Sequence, residues 1–233
     1  MSILDTLSPL YRFLPEVRGP TGKSGLSSRL KWTAAILVLF YIMGSVSLIG
    51  VDVTAAAGGQ LEALQYILAS SIGTLITVGI GPIVLASIIL QLLVGGKIID
   101  VDLSDPKQKA MFSSAQKLLA IILSFFESIA YVMGGLLLPL PGMALWVILQ
   151  VAFGSIILLY LDEVVSKYGI GSGIGLFIAG GVSAQIFWRS FNPLDALNQF
   201  NLANANGLIF LFFNNLSTGF FTAFVTYLIP ILM

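Results

Sequence analysis

Apolar residues gather into long blocks separated by short polar or charged punctuation. The first block runs from Trp32 to Ile49, introduced by Arg29 and Lys31. The second is Ile72 to Val94, and the third runs from Lys117 to about Leu138, where Pro139-Leu140-Pro141-Gly142 ends it. The fourth, Met143 to Tyr160, stops at Asp162-Glu163, and a shorter fifth extends from near Gly171 to about Phe187. A spanning helix needs roughly 20 apolar residues at about 1.5 Å of rise each, so the pattern predicts five transmembrane helices. Val51 to Ser70 breaks the rhythm: it is rich in Ala and Gly, yet Asp52, Gln60, Glu62 and Gln65 interrupt it. After the fifth block come a polar stretch, Arg189 to Asn206, and a Phe-rich one, Leu208 to Phe224. A last apolar run from about Thr226 to Met233 is too short to cross and reads as the start of a sixth helix, as in a fragment. The expected organisation is an arm over 1–31, a five-helix unit over 32–187, an external loop or hairpin over 188–225, and the start of helix six over 226–233.

The second block contains Gly79-Ile80-Gly81-Pro82, helix breakers from which a simple lipid anchor would gain nothing. Irregular backbone at membrane depth is tolerated only against protein or a water-filled cavity. The block is therefore expected to form one wall of a pathway that water or a substrate enters.

Composition supports the membrane reading. Of 233 residues, 57% are hydrophobic and 9% charged, against about 25% charged in soluble domains. Lys+Arg and Asp+Glu balance at 11 each, so net charge points to neither nucleic acid nor a polybasic membrane tether. The chain has no Cys and no His, which removes thiol catalysis, disulfides, Cys/His metal sites and His-based acid–base chemistry. No cofactor or metal site is expected. Met1 to Leu14 lacks the basic start, apolar centre and cleavage site of a signal peptide, so the first helix is expected to act as its own insertion signal.

Arg12, Arg18, Lys23, Arg29 and Lys31 precede the first block, Lys97, Lys107, Lys109 and Lys117 separate the second from the third, and Lys167 follows the fourth. The alternate loops carry only Arg189. The positive-inside rule places the N-terminus in the cytoplasm of a multi-pass protein of the cell membrane. Ile3 to Val17 has apolar residues at helical spacings, broken by Pro9 and Pro15, and suits a membrane surface or a partner.

Ile80 and Val84 are four residues apart, as are Ile174 and Ile178, so each pair shares a helix face. That spacing equally serves helix packing or lipid contact. Both pairs adjoin glycines (Gly79 and Gly81; Gly169, Gly171, Gly173 and Gly175), and close backbone approach beside branched side chains suits a narrow, deformable constriction.

GIGPIV (79–84), QLLVG (91–95), AQKLL (115–119), FGSIILLYLDEVVSKYGIGSGIGLFIAGGVS (153–183) and the leader FLPEVRGP (13–20) together resemble the SecY family, the central subunits of the protein-conducting channel, in its archaeal branch. The likeness runs in order from about residue 13 to 183 and weakens from Asn192 onward. It implies an all-α membrane fold of two inverted five-helix halves around an hourglass pore, of which this chain supplies the N-terminal half. It implies that Val51 to Ser70, including Val53, Ala56, Leu61 and Leu64, folds back as a re-entrant plug helix. It also implies that Ile80, Val84, Ile174 and Ile178 contribute to the pore ring. Glu127, the one carboxylate deep in a block, matches a polar position of the family's lateral gate. Leu85 stands at the facing position, where a small hydroxyl residue is often found. The implied partners are SecE-type and small β-type membrane subunits, a ribosome or other motor, secretory polypeptides with signal sequences, and the lipid bilayer.

Two patterns mislead. GIGSGIG (169–175) has glycine spacings like those of nucleotide loops but follows a membrane block, not the strand of a βαβ unit. Asp100, Asp102 and Asp105 lack the glycine and distal Glu of an EF-hand, and Asp105-Pro106 suits a turn that starts a helix. The rival function is a secondary transporter with broken helices. On residues alone, channel and transporter stand nearly equal, and the resemblance favours the channel. An intramembrane enzyme has little support without His, Cys or paired intramembrane carboxylates.

Overall fold

The computed structural model describes residues 14–20, 22, 25–51, 70–194, 199–201, 205–216 and 224–228. The expected plug residues Val53, Ala56, Leu61 and Leu64, and most of the N-terminal arm, lie outside the described residues. Among those described, the chain is helical: α1 (Leu26–Ser45), α2 (Gly81–Gly95), α3 (Pro106–Met133), α4 (Ala144–Tyr168), α5 (Gly173–Phe191), α6 (Leu208–Asn214) and a π-helical turn, Phe224–Leu228. Among the described residues, extended pairing is limited to isolated bridges. Two compact units result, Met1–Ile178 and Ala179–Met233. Helices α1, α3, α4 and α5 are long and apolar enough to cross a membrane.

The second block departs from the expected continuous span. Only Gly81–Gly95 is helical, 15 residues, or about 22 Å at 1.5 Å per residue, short of a bilayer core of about 30 Å. Residues 70–80 are irregular, and Gly79 has φ of 64°, a left-handed conformation costly for a residue with a Cβ. Pro82 opens the helix, where its missing N–H removes no intrahelical bond. Local hydroxyls satisfy the run-in: Thr77 Oγ1 accepts the Gly73 N–H at 3.1 Å and donates to the Thr74 carbonyl, and Thr74 Oγ1 donates to the Ser71 carbonyl at 2.7 Å. Residues 76–83 are all buried. The irregular backbone is thus packed against protein, the first of the two settings that membrane depth permits.

The other ends move for related reasons. α1 stops at Ser45, not Ile49, because its continuation pairs with the run-in to α2. Leu48 N–H donates to the Gly73 carbonyl at 2.9 Å, and Leu75 N–H to that of Val46 at 3.1 Å. The Gln150 side chain then grips Ile49 in both directions, accepting its N–H and donating to its carbonyl, each at 3.0 Å. α3 begins well before Lys117, at Pro106, where Asp105 accepts the Lys107 N–H at 3.1 Å as an N-cap. Asp102 accepts the Ser104 N–H at 2.9 Å, so these acids build the turn and cap expected of them.

α4 runs on past Asp162 and Glu163 to Tyr168. It is the central helix of its unit, packing on α1 and α3 and burying Val147, Val151, Ala152, Gly154, Ser155, Leu158, Leu159 and Val165. α2 packs on α3 as well. Leu194 pairs with Phe200, and the Asn192 carbonyl accepts the Gly207 N–H at 2.9 Å just before α6.

Candidate functional site

Ile80 sits at the junction between irregular run-in and helix, with φ of −91° and ψ of 1°. Its carbonyl accepts the N–H groups of Ile83 and Val84, each at 3.1 Å, which fixes Val84 one turn above it. Ile174 and Ile178 stand one turn apart at the start of α5. All four join one apolar cluster built on Ile36, Phe40, Ile83, Leu158 and Phe177. Phe40 of α1 and Phe177 of α5 stack with ring centroids 5.1 Å apart, which fixes the rotation of α5 in that cluster. Ile80 is wholly enclosed, whereas Val84, Ile174 and Ile178 are half-buried. Three of the four therefore keep surface free to meet something outside the described cluster.

α4 supplies the backing, which the sequence reading missed. A Cβ on Gly154 would lie 1.8 Å from the Leu75 carbonyl oxygen, so only glycine lets the run-in to α2 approach this closely. Next to it, buried Ser155 donates to the Gly79 carbonyl at 3.3 Å, and its hydroxyl lies 3.2 Å from that of Ser124 on α3. Further along α4, Asp162 Oδ1 accepts the Ile174 N–H at 2.9 Å. Small and polar residues inside apolar blocks were the available signal, since in lipid such residues mark helix–helix contacts.

The expected gate residues stand on neighbouring helices. Leu85 on α2 is 40% exposed, and Glu127 on α3 is half-buried with no hydrogen-bond partner among the described residues. What joins these two helices by side-chain hydrogen bonding is a different pair: Gln116 of α3 donates to the Ser87 hydroxyl of α2.

A charged cluster closes one end of the unit. Glu163 of α4 pairs with Lys117 of α3 at 2.8 Å and with Lys167 at 2.9 Å, and Lys167 also reaches Glu16 at 3.3 Å and the Val17 carbonyl. Tyr168 Oη donates to the Arg18 carbonyl at 2.7 Å, and its ring lies 5.2 Å from that of Trp32 on α1. The described part of the N-terminal arm is therefore fastened to its own chain.

The SecY family model matches residues 74–232. The protein translocase subunit SecY of Methanothermobacter thermautotrophicus is 44% identical over 231 residues, covering 98% of this chain and 49% of the relative. That of Methanocaldococcus jannaschii is 47% identical over 231 residues, covering 97% and 48%. Among solved structures, Sec61 in the canine ribosome–channel complex from the endoplasmic reticulum is similar with a TM-score of 0.77 at 47% identity, over 92% of this chain and 47% of that one. The chain spans about half the length of the curated relatives it matches.

Proposed function

The chain belongs to the SecY family, and from that premise we propose that it forms the N-terminal half of a protein translocation channel, passing secretory polypeptides across the membrane and releasing membrane segments sideways into lipid. The observation that carries this reading is the meeting of Ile80, Val84, Ile174 and Ile178, from the starts of two helices, in one apolar cluster. Aliphatic side chains offer an ion no substitute for its hydration shell, so a tight apolar constriction blocks by dewetting. The same side chains can part around an extended chain without demanding any particular hydrogen bond from it. In this reading Val84, Ile174 and Ile178 contribute exposed surface to the ring and Ile80 supports it from behind. A second half of the channel completes the ring.

Val53, Ala56, Leu61 and Leu64 belong to the plug in this reading, and Leu85 with Glu127 to the lateral gate. The channel performs no covalent chemistry and takes its energy from a ribosome or another motor. A SecE-type subunit braces the two halves, a small β-type subunit lies near the first and fourth spans, and the N-terminus faces the cytoplasm of a cell membrane. The transporter alternative is weaker because transporters place polar or charged ligands near midplane, whereas the side chains that meet here are aliphatic.

The absence of native cysteine permits a direct test. A single Cys replaces Ile178, the C-terminal half (free of Cys) and the partner subunits are supplied, and a secretory chain bearing one Cys is stalled partway across. Disulfide formation with Ile178→Cys is the expected result. If a control Cys at Ala56 crosslinks while Ile178→Cys does not, the ring assignment fails. If no position crosslinks in a folded complex, the transporter reading takes its place.

A further inference from the structure

Both helix starts that carry the aliphatic residues are held by α4. Ser155 binds the carbonyl of Gly79, just before Ile80, and Asp162 binds the N–H of Ile174. Seven residues separate these two side chains, about two helical turns, so they project from nearly the same face. The first N–H groups of a helix have no intrahelical acceptor, and a carboxylate there also meets the positive end of the helix dipole. Asp162 thus caps α5 from a neighbouring helix. The approach is close. A Cβ on Gly173 would lie 2.5 Å from Asp162 Oδ1 and 2.6 Å from Asp162 Cα, so a glycine is required where α5 begins. One turn on, Phe177 is fully buried against the cluster, leaving α5 pinned at the Ile174 N–H and at Phe177.

We infer that Asp162 is a positioning residue for the constriction, setting the height and rotation of Ile174 and Ile178 by capping α5 from α4. The inference rests on the reading of these aliphatics as a pore ring. It assigns α4 the part of a common template for ring residues drawn from two other helices, with Ser155 serving α2 and Asp162 serving α5.

The test uses the complete complex, with the C-terminal half and partner subunits present, reconstituted in planar bilayers. Asp162→Ala removes the acceptor, and Asp162→Asn keeps an oxygen that can accept the Ile174 N–H. Ile178→Ser serves as the control for the ring itself. The expected pattern is severalfold higher resting ion conductance for Asp162→Ala and Ile178→Ser, with Asp162→Asn close to the parent. A merely structural cap would lower assembly without changing the conductance of each assembled channel. If Ile178→Ser leaks and assembled Asp162→Ala does not, the inference falls and the channel reading stands. If Ile178→Ser does not leak, the ring reading falls and takes the inference with it. Should Asp162→Ala fail to assemble, hydrogen exchange on the unaltered complex decides. The Ile174 amide should exchange at least severalfold more slowly than an open chain, and exchange at the open-chain rate would overturn the cap.

Discussion

At the scale of single residues, the second apolar block shows what a sequence can and cannot reveal. Gly79 and Pro82 are legible as breakers because their backbone preferences are intrinsic. What the broken backbone rests on is not, because that contact comes from Gly154, more than seventy positions away. A glycine inside an apolar helix reads the same whether it meets lipid or another backbone. The structure separates the two cases. At Gly154 a Cβ would collide with the Leu75 carbonyl at 1.8 Å, whereas at Gly175 nothing among the described residues lies within 4 Å. Gly154→Ala should therefore destabilise the unit by about 3 kcal/mol, the upper part of the range for overpacking, and displace the run-in to α2. Gly175→Ala should be neutral or should stabilise by about 0.5–1 kcal/mol through helix preference alone. Denaturation midpoints of the two variants in detergent check the contrast, and equal effects would mean that the close approach at Gly154 is absent.

At the scale of elements, hydrophobicity marks the spans well and the helices less well. The fourth block ends at Tyr160 by composition, yet α4 continues to Tyr168. Charge ends a membrane span, but it does not end a helix whose charges find partners. Glu163 finds Lys117 and, four residues on along its own helix, Lys167. α3 likewise extends to Pro106, eleven residues before the point where its apolar block opens. The α4 overhang carries Glu163 and Lys167, which tie it to Lys117 of α3 and to the N-terminal arm. The Lys117 and Glu163 side chains are only 16% and 10% exposed, so their pairing should count for more than a solvated surface pair. A double-mutant cycle of Lys117→Met and Glu163→Gln should give a coupling of about 1–2 kcal/mol, above the usual range for exposed pairs. It should weaken little with added salt, since screening acts least on partly buried charges. A coupling near zero would mean that the overhangs are held by apolar packing alone. The aliphatic pairs were legible as faces because one helical turn separates their members, but that two such faces meet required the fold.

At the scale of the whole molecule, the ordered motifs carried the family, and charge and geometry together support the proposed membrane topology. Glu16, Lys117, Glu163 and Lys167 come from distant parts of the sequence and converge at one end of the first unit. Lys117, Lys167 and the arm that carries Arg18 meet at that same end, as they must if α1 and α3 cross a bilayer in one direction and α4 in the other. The opposite end gathers the bridges that join residues 47 to 74 and 51 to 139, with no Lys or Arg at 46–51 or 134–143. The Cys-free chain makes the orientation measurable. Ser104→Cys and Ser172→Cys should be shielded from a membrane-impermeant maleimide added outside intact cells and react only after permeabilisation. Leu140→Cys, half exposed in the structure, should react at once. The reverse pattern would invert the protein and with it the direction in which a polypeptide would cross. Labelling of all three from one side would be worse for the proposal, because α3 and α4 would then not cross the membrane between these positions and no continuous pathway could run beside them.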